Sequence, residues 1–451
     1  MDISTLIPSF GGFLFTAAAF IIALSIIVAV HEFGHYIVGR WSGIHAEVFS
    51  LGFGPVIWSR TDKRGTKWQI AALPFGGYVK FLGDSDAASS GTDEEAVSAL
   101  SEEELRHTMH GAPLWARFLT VLAGPVFNFL LSILLFSALA LTIGIAREPL
   151  TVEEIYPLPV EGITVEPGDA LIAVEGKTLP RSREEGSKGL WEIGKTLPRR
   201  DLLTYDVARG EAQTQALGPQ LFPTRVGGVN VNSAAREAGI RTGDVILKID
   251  GKKVYRFDEM VEMVKASGGR AMTLEVWREG DTFEVTLKPR RRDIPKGDGT
   301  FETRWLMGIQ SSLFFIPAAE TPDPLTAITL GAARTWGVIR LSASGIYHLL
   351  TGQISSCNVS GPVGIARASG SMASEGLAAF IGFIALLSTA IGFLNLLPVP
   401  MLDGGHLVFY AWEAITGRPP NEKLLRILMT IGLVLVLGLM AFGLSNDLTC
   451  K

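Results

Sequence analysis

Four stretches of the chain are apolar enough to cross a bilayer as helices, which takes about 20 residues each. They are residues 10–30, about 116–146, about 377–397 and 424–444. In the first, Thr16 and Ser25 are the polar interruptions. A signal peptide is the rival reading there, but no Lys or Arg precedes the run and a charged motif follows it directly. Shorter patterns fill the gaps. Residues 55–59 and 67–72 flank the turn-prone Asp62-Lys63-Arg64-Gly65 and predict a hairpin that is unusually apolar. From 322 to 353, Leu325, Ile328, Ala332, Trp336 and Ile339 recur at helical spacing. Arg334 and Arg340 would sit mid-span there, so the expectation is a helix lying along the interface.

The segment from 147 to 370 contains a repeat. Pro167-Gly168-Asp169-Ala170-Leu171-Ile172-Ala173-Val174-Glu175-Gly176 matches Thr242-Gly243-Asp244-Val245-Ile246-Leu247-Lys248-Ile249-Asp250-Gly251. A Gly-Asp turn, alternating apolar residues and an acid-Gly turn predict a strand entering a hairpin. The pattern resembles bacterial PDZ domains, in which Ala-Gly-Ile precedes the Gly-Asp turn, as in Ala238-Gly239-Ile240. That resemblance implies peptide or protein ends bound as an added strand, with Val226-Gly227-Gly228-Val229 as the candidate carboxylate loop of the second copy. Structural β-domains that occlude a site and bind nothing are the alternative.

Composition agrees with a membrane chain carrying wet insertions: 47% of its 451 residues are hydrophobic and 19% are charged. The net charge of −5 excludes a general affinity for nucleic acid. Two cysteines, Cys357 and Cys450, are too few for a disulfide framework. Charge also orients the spans. Residues 1–12 carry no Lys or Arg, whereas eight lie from Arg40 to Arg117, and Arg418 and Lys423 precede the fourth span. The positive-inside rule therefore predicts residues 31–115 and 406–423 in the cytoplasm, with both termini and the 147–370 insertion outside. Between 84 and 104 stands an acidic block without Lys or Arg, which reads as a solvated linker.

The candidate chemistry lies where the first apolar run ends. His31-Glu32-Phe33-Gly34-His35 puts two imidazoles on one helix face, able to share a Zn²⁺, with Glu32 beside them as general base. Such groups at membrane depth are costly unless a cation compensates them. A hydrolytic zinc site needs a third ligand and an open position. Asp403 supplies it: it closes the third span on the side where the first delivers His31 and His35, within Asn395-Leu396-Leu397-Pro398-Val399-Pro400-Met401-Leu402-Asp403-Gly404-Gly405. Its prolines break regular helix, which is tolerated where backbone lines a cavity. His406, one turn on, is the weaker competitor, and His45, His107, His110 and His348 lack a partner at ligand spacing.

These motifs, with Gly52-Phe53-Gly54, Gly76-Gly77-Tyr78-Val79-Lys80, Gly124-Pro125-Val126-Phe127-Asn128-Phe129 and Ser360-Gly361-Pro362-Val363-Gly364-Ile365 in order, resemble the bacterial site-2 proteases, and among them the regulator-of-sigma-E protease group with tandem PDZ domains. The resemblance implies an intramembrane zinc metalloprotease in the bacterial inner membrane. One catalytic Zn²⁺ would be bound by His31, His35 and Asp403, with Glu32 activating water. Asn395 and Pro398 would hold the substrate, a single-span membrane protein such as an anti-sigma factor or a remnant signal peptide. Gly54 and Gly76 join them as candidate substrate-binding residues, because the hairpin between them could dip into the bilayer and accept substrate as a strand. Replacing either with Pro would impair cleavage in that case and be mild for an ordinary cytoplasmic hairpin. The two repeats would gate by excluding bulky outer domains. A catalytically inactive membrane PDZ scaffold is the alternative; it has no use for Glu32.

The fold expected is therefore a polytopic α-helical membrane protein of four spans, with a membrane-associated β-hairpin region and two α+β PDZ-like domains outside. Its parts are the first span (1–40), the β region (41–82), the acidic linker (83–115), the second span (116–146), the two PDZ-like domains (147–222 and 223–312), an amphipathic helical segment (313–375), the third span (376–405), a cytoplasmic loop (406–423) and the fourth span with its tail (424–451).

Overall fold

The computed structural model describes residues 6–84, 100–180, 182–230, 233–296 and 300–449. Most of the acidic linker, and Cys450, lie outside them. The chain divides into two compact units. The first holds the residues up to Leu139, Pro324–Tyr347 and the chain from Val359 onward; the second holds Ala140–Asp323 and His348–Asn358.

Among the described residues, four helices are long and apolar enough to cross a membrane: α1 (Leu6–Trp41), α2 (Leu114–Ile143), and, later in the chain, Leu377–Asn395 and Glu422–Thr449. With α3 (Ser182–Lys195) and α4 (Phe257–Ala266) in the second unit, α5 is Pro324–Leu350, α6 is Pro362–Ser374, α7 is Leu377–Asn395, α8 is Asp403–Thr416 and α9 is Glu422–Thr449. Helix α1 is continuous through the His-Glu-Phe-Gly-His motif. Helices α2 and α7 meet through small and hydroxylic residues, as expected where apolar side chains give helices no preference for one another over lipid. Ser388 Oγ donates to the Asn128 carbonyl at 2.9 Å, and Ser132 Oγ donates to that of Ala385. A Cβ on Gly392 would come within 3.1 Å of the Pro125 carbonyl oxygen. At the other end, Asp447 of α9 accepts the Gly361 and Gly364 amides at 3.0 and 2.9 Å, placing negative charge at the start of α6.

The predicted hairpin is present and longer than its apolar core, as β1 (Ala46–Thr61) and β2 (Lys67–Phe81). Both strands bend, so that Phe49 faces both Val79 and Trp68 while Trp58 faces Ile70. The result is a small curled sheet with residues 77–81 on one edge and 56–61 on the other; Val56, Ile57 and Trp58 are exposed. The bends fall at Gly54 and Gly76, with φ of +83° and +118°. Proline, fixed near −65°, fits neither, so a proline there breaks the sheet wherever the hairpin lies. The substitution does not separate a membrane hairpin from a cytoplasmic one.

The second unit repeats one design. With β3 Ala170–Val174, β4 Lys177–Thr178, β5 Leu203–Arg209, β6 Ala212–Gly218, β7 Val245–Ile249, β8 Lys252–Lys253, β9 Met272–Arg278 and β10 Asp281–Leu287, its four-stranded sheets run β4-β3-β5-β6 and β8-β7-β9-β10, all antiparallel. The matched sequence positions do matched work. Asp169 and Asp244 are buried, and each binds an arginine through two contacts: Arg209 at 2.7 and 2.8 Å, Arg278 at 2.6 and 2.7 Å. Glu175-Gly176 and Asp250-Gly251 turn with positive φ at both residues, the tight hairpin geometry that acid-Gly pairs favour.

Residues 315–320 depart from the expected helical segment. They form two short strands, Phe315–Pro317 and Ala319–Glu320, paired back to Val152–Ile155 and Ile145–Ala146. Strands this short carry too little alternation to register in sequence, and their partners lie more than 150 residues away. The helix expected after them is α5.

Burial raises the Asp169 pKa, but the Arg209 guanidinium and the Glu166 amide outweigh it and hold the carboxyl below its ordinary value. A carboxyl depressed in the folded state stabilises above the unfolded pKa of about 3.9 and loses that contribution as pH falls through the folded value. Melting of the Asp169→Asn variant should accordingly depend less on pH below about pH 5 than that of the native chain. Parallel slopes by circular dichroism would contradict this.

Candidate metal centre

The site is assembled from α1, α2, α7 and the start of α8. On α1, His31 and His35 lie one turn apart with ring planes at 86° and their Nε2 atoms 3.2 Å apart. Asp403 is the first residue of α8. Its carboxylate oxygens stand 3.2 Å from His31 Nε2 and 3.5 Å from His35 Nε2. These three side chains are the one group among the described residues that could gather three ligand atoms around a metal ion.

Each imidazole is held from behind. The Thr120 carbonyl lies 2.9 Å from His35 Nδ1. A carbonyl only accepts, so Nδ1 carries the proton and the Nε2 lone pair faces the cluster. The terminal amide of Asn128, fully buried on α2, lies 3.2 Å from His31 Nδ1. Its Nδ2 is the nearer atom and its Oδ1 has no donor; turning the amide over lets Oδ1 accept from Nδ1–H, which leaves the Nε2 lone pair facing the cluster in the same way. Asp403 Oδ2 is buried without a hydrogen-bond donor.

The donor set fits zinc. Bonds of about 2.0–2.1 Å in tetrahedral geometry separate neighbouring ligand atoms by about 3.3 Å; the two Nε2 atoms stand 3.2 Å apart, His31 Nε2 lies 3.2 Å from Asp403 Oδ2, His35 Nε2 lies 3.5 Å from Asp403 Oδ1, and one atom from each side chain falls within 4.8 Å of the others.

Glycines make the convergence possible. A Cβ on Gly34 would stand 2.6 Å from the Ala123 carbonyl oxygen, so α1 and α2 approach backbone to backbone there. A Cβ on Gly124 would stand 2.3 Å from His35 Nε2 and 2.8 Å from His31 Cε1. Between α7 and α8 the chain doubles back through Met401, whose φ is +81°. Side chains at Gly404 and Gly405 would collide with the Leu397 and Val399 carbonyl oxygens at 2.2 and 2.5 Å, which is why α8 begins with two glycines after its aspartate.

Of the other expected residues, Asn395 joins the site, its amide nitrogen 3.4 Å from His31 Nε2. Glu32 is half-buried against β2, where a Cβ on Gly77 would come within 3.2 Å of its Cγ. The sheet thus meets the acid at Gly77 and through the Val79 backbone, rather than at Gly54 or Gly76. Pro398 lies exposed in the turn between α7 and α8. His406 falls outside the cluster, and so do the other histidines; His107 hydrogen-bonds the Gly43 carbonyl at 2.6 Å and His348 stacks near Phe301. The Val226–Val229 loop is a poor carboxylate cradle. The Val226 and Gly227 amides already donate to the Asp244 and Gln310 carbonyls, and Gly228–Val229 pairs with Ile309–Gln310. The residues that the motif reading left without a role are Thr120, Gly124 and Asn128; an asparagine inside an apolar span was the available signal.

Two histidines a turn apart on a helix of membrane-spanning length, met by a distant carboxylate, describe a membrane metallopeptidase. The chain belongs to peptidase family M50, whose model matches residues 19–439, and is a zinc metalloprotease of the site-2 type. It is 36% identical to the zinc metalloprotease Atu1380 of Agrobacterium fabrum over 95% of this chain and 94% of that one. It is 32% identical to the regulator of sigma-E protease RseP of Escherichia coli K12 and to that of Salmonella typhimurium, in each case over 96% of this chain and 98% of the other. The resemblance to site-2 proteases holds across nearly the whole chain.

Proposed function

We propose that this protein cleaves peptide bonds within the transmembrane segments of single-span membrane proteins, with one zinc ion held by His31, His35 and Asp403. The observation that carries the reading is the convergence of the three side chains, one ligand atom from each within 4.8 Å of the others, although Asp403 lies 368 residues beyond His35 in the chain. When bound, zinc polarises a carbonyl and lowers the pKa of water toward 7. Glu32 accepts the proton of the attacking water and passes it to the leaving amide nitrogen. Asn395 offers its amide to the substrate backbone next to His31, and the turn at Pro398 leaves backbone groups for the same purpose. A helical substrate must unwind to be cut. The exposed 56–61 edge of the curled sheet offers it strand pairing instead, and the opposite edge lies against Glu32.

By the positive-inside rule, the centre lies toward the cytoplasmic side of a bacterial inner membrane, with both termini and the repeats outside. We read the repeats as PDZ-like domains. In this reading they select substrates by size of outer domain, since the loop best suited to a carboxylate has its amides occupied. The Escherichia and Salmonella relatives are named as regulators of sigma-E; in our reading the substrate class is an anti-sigma factor, with remnant signal peptides a second.

The test is metal content paired with cleavage of a single-span reporter in detergent. The native chain should carry one zinc per molecule. Asp403→Ala should bind zinc at least about 100-fold more weakly and cleave nothing measurable. Full zinc retention by that variant would exclude Asp403 as a ligand.

A further inference from the structure

Helix α8 starts at the proposed ligand Asp403, and its position decides where that carboxylate stands. Asp403, Leu407 and Tyr410 share one face at spacings of four and three residues. Leu407 and Tyr410 pack against the cluster that includes Tyr36 of α1 and Ala116 and Val121 of α2. One turn further, Glu413 meets Arg117 in a two-pronged ion pair, Nη1 to Oε2 at 3.1 Å and Nη2 to Oε1 at 2.6 Å. The guanidinium also lies over the Tyr410 ring, 5.3 Å from its centre. Both charged side chains are largely withdrawn from solvent, at 14% and 18% exposure.

Arg117 belongs to α2, and α2 is the helix that holds the histidines. Thr120, three residues on, binds His35; Gly124 makes room for both rings; Asn128 meets His31. One helix therefore backs the two imidazoles and, through Arg117, grips the helix that carries the third ligand. We propose that the Arg117–Glu413 pair is a positioning clamp for the metal centre, setting how far α8 sits along α2 and so the distance of Asp403 from His31 and His35. This rests on the reading of Asp403 as a zinc ligand. A planar guanidinium with two parallel bonds to a carboxylate fixes direction as well as distance. The ligand end lies ten residues, about 15 Å, from the clamp, so a small slide or tilt at Glu413 reaches Asp403 through a stiff helix. Metal sites tolerate only about 0.2 Å in ligand distance. Arg117 thus does more than mark the cytoplasmic side of the second span.

The test uses the full-length protein in detergent, with zinc affinity measured by chelator competition and cleavage resolved into kcat and KM. Arg117→Met and Glu413→Gln should each weaken zinc binding by about 10- to 100-fold, the usual effect of losing a group that orients a ligand, and lower kcat with little change in KM. The exchanged pair Arg117→Glu with Glu413→Arg should recover part of both. If Arg117→Met does not fold, Glu413→Gln, which keeps the shape of the side chain, reads the same quantities. Folded variants that bind zinc as the native chain does would overturn the clamp, and so would an exchanged pair as weak as the single variants. A native chain without zinc would overturn the ligand assignment itself.

Discussion

Replacing Glu32 with Gln should abolish cleavage while leaving zinc in place. The amide keeps the size of the side chain and its contact with the sheet at Gly77, so the fold around it has no reason to change. What it loses is the capacity to take a proton. General-base catalysis contributes about 10²–10⁴-fold to such reactions, so the residual rate on a single-span reporter should fall by at least the lower of these factors. Zinc content should stay at the native level, because Glu32 is absent from the group of ligand atoms formed by His31, His35 and Asp403. Loss of both zinc and activity would make Glu32 a ligand, and retained activity would remove it from the mechanism.

A single methyl at Gly124 should be nearly as damaging by a different route. Its Cβ would stand 2.3 Å from His35 Nε2 and 2.8 Å from His31 Cε1, well inside any real contact. Neither ring has a free way out. Turning His35 breaks its hydrogen bond to the Thr120 carbonyl, and turning His31 leaves the buried Asn128 amide without it. Moving the helices apart forfeits the close packing at Gly34, where α1 lies against the Ala123 carbonyl. Gly124→Ala should therefore fold and reach the membrane yet hold zinc at least about 100-fold more weakly, with proteolysis lost in parallel. A folded Gly124→Ala protein with native zinc affinity would mean that the imidazoles occupy other positions.

The two variants probe different kinds of information in the chain. Glu32 is legible from its neighbours alone, because His31 and His35 at four-residue spacing imply a shared helix face whatever the rest of the fold does. Gly124 is not. In sequence it is one small residue in an apolar span; its importance comes from rings 89 and 93 residues earlier that lean into the space it leaves. Asn128 sits between these cases. An amide within a lipid-facing stretch signals a partner, but not which one.

Local periodicity and composition determined the spans, the paired histidines with their acid, the curled hairpin and the repeated Gly-Asp and acid-Gly turns, since each depends on side chains within a few positions of one another. The meeting of Asp403 with the two histidines was also within reach, because an acid at the end of an apolar run has a depth as well as a place in the chain. The tertiary structure alone decided which carbonyl and amide orient the imidazoles, that Gly77 meets Glu32, that Arg117 grips Glu413, and that residues 315–320 return as strands to residues 145–155. The physical reason is the same in each case. These are contacts between residues far apart in the chain, made by groups whose own chemistry is ordinary, and only close packing in three dimensions assigns them a partner.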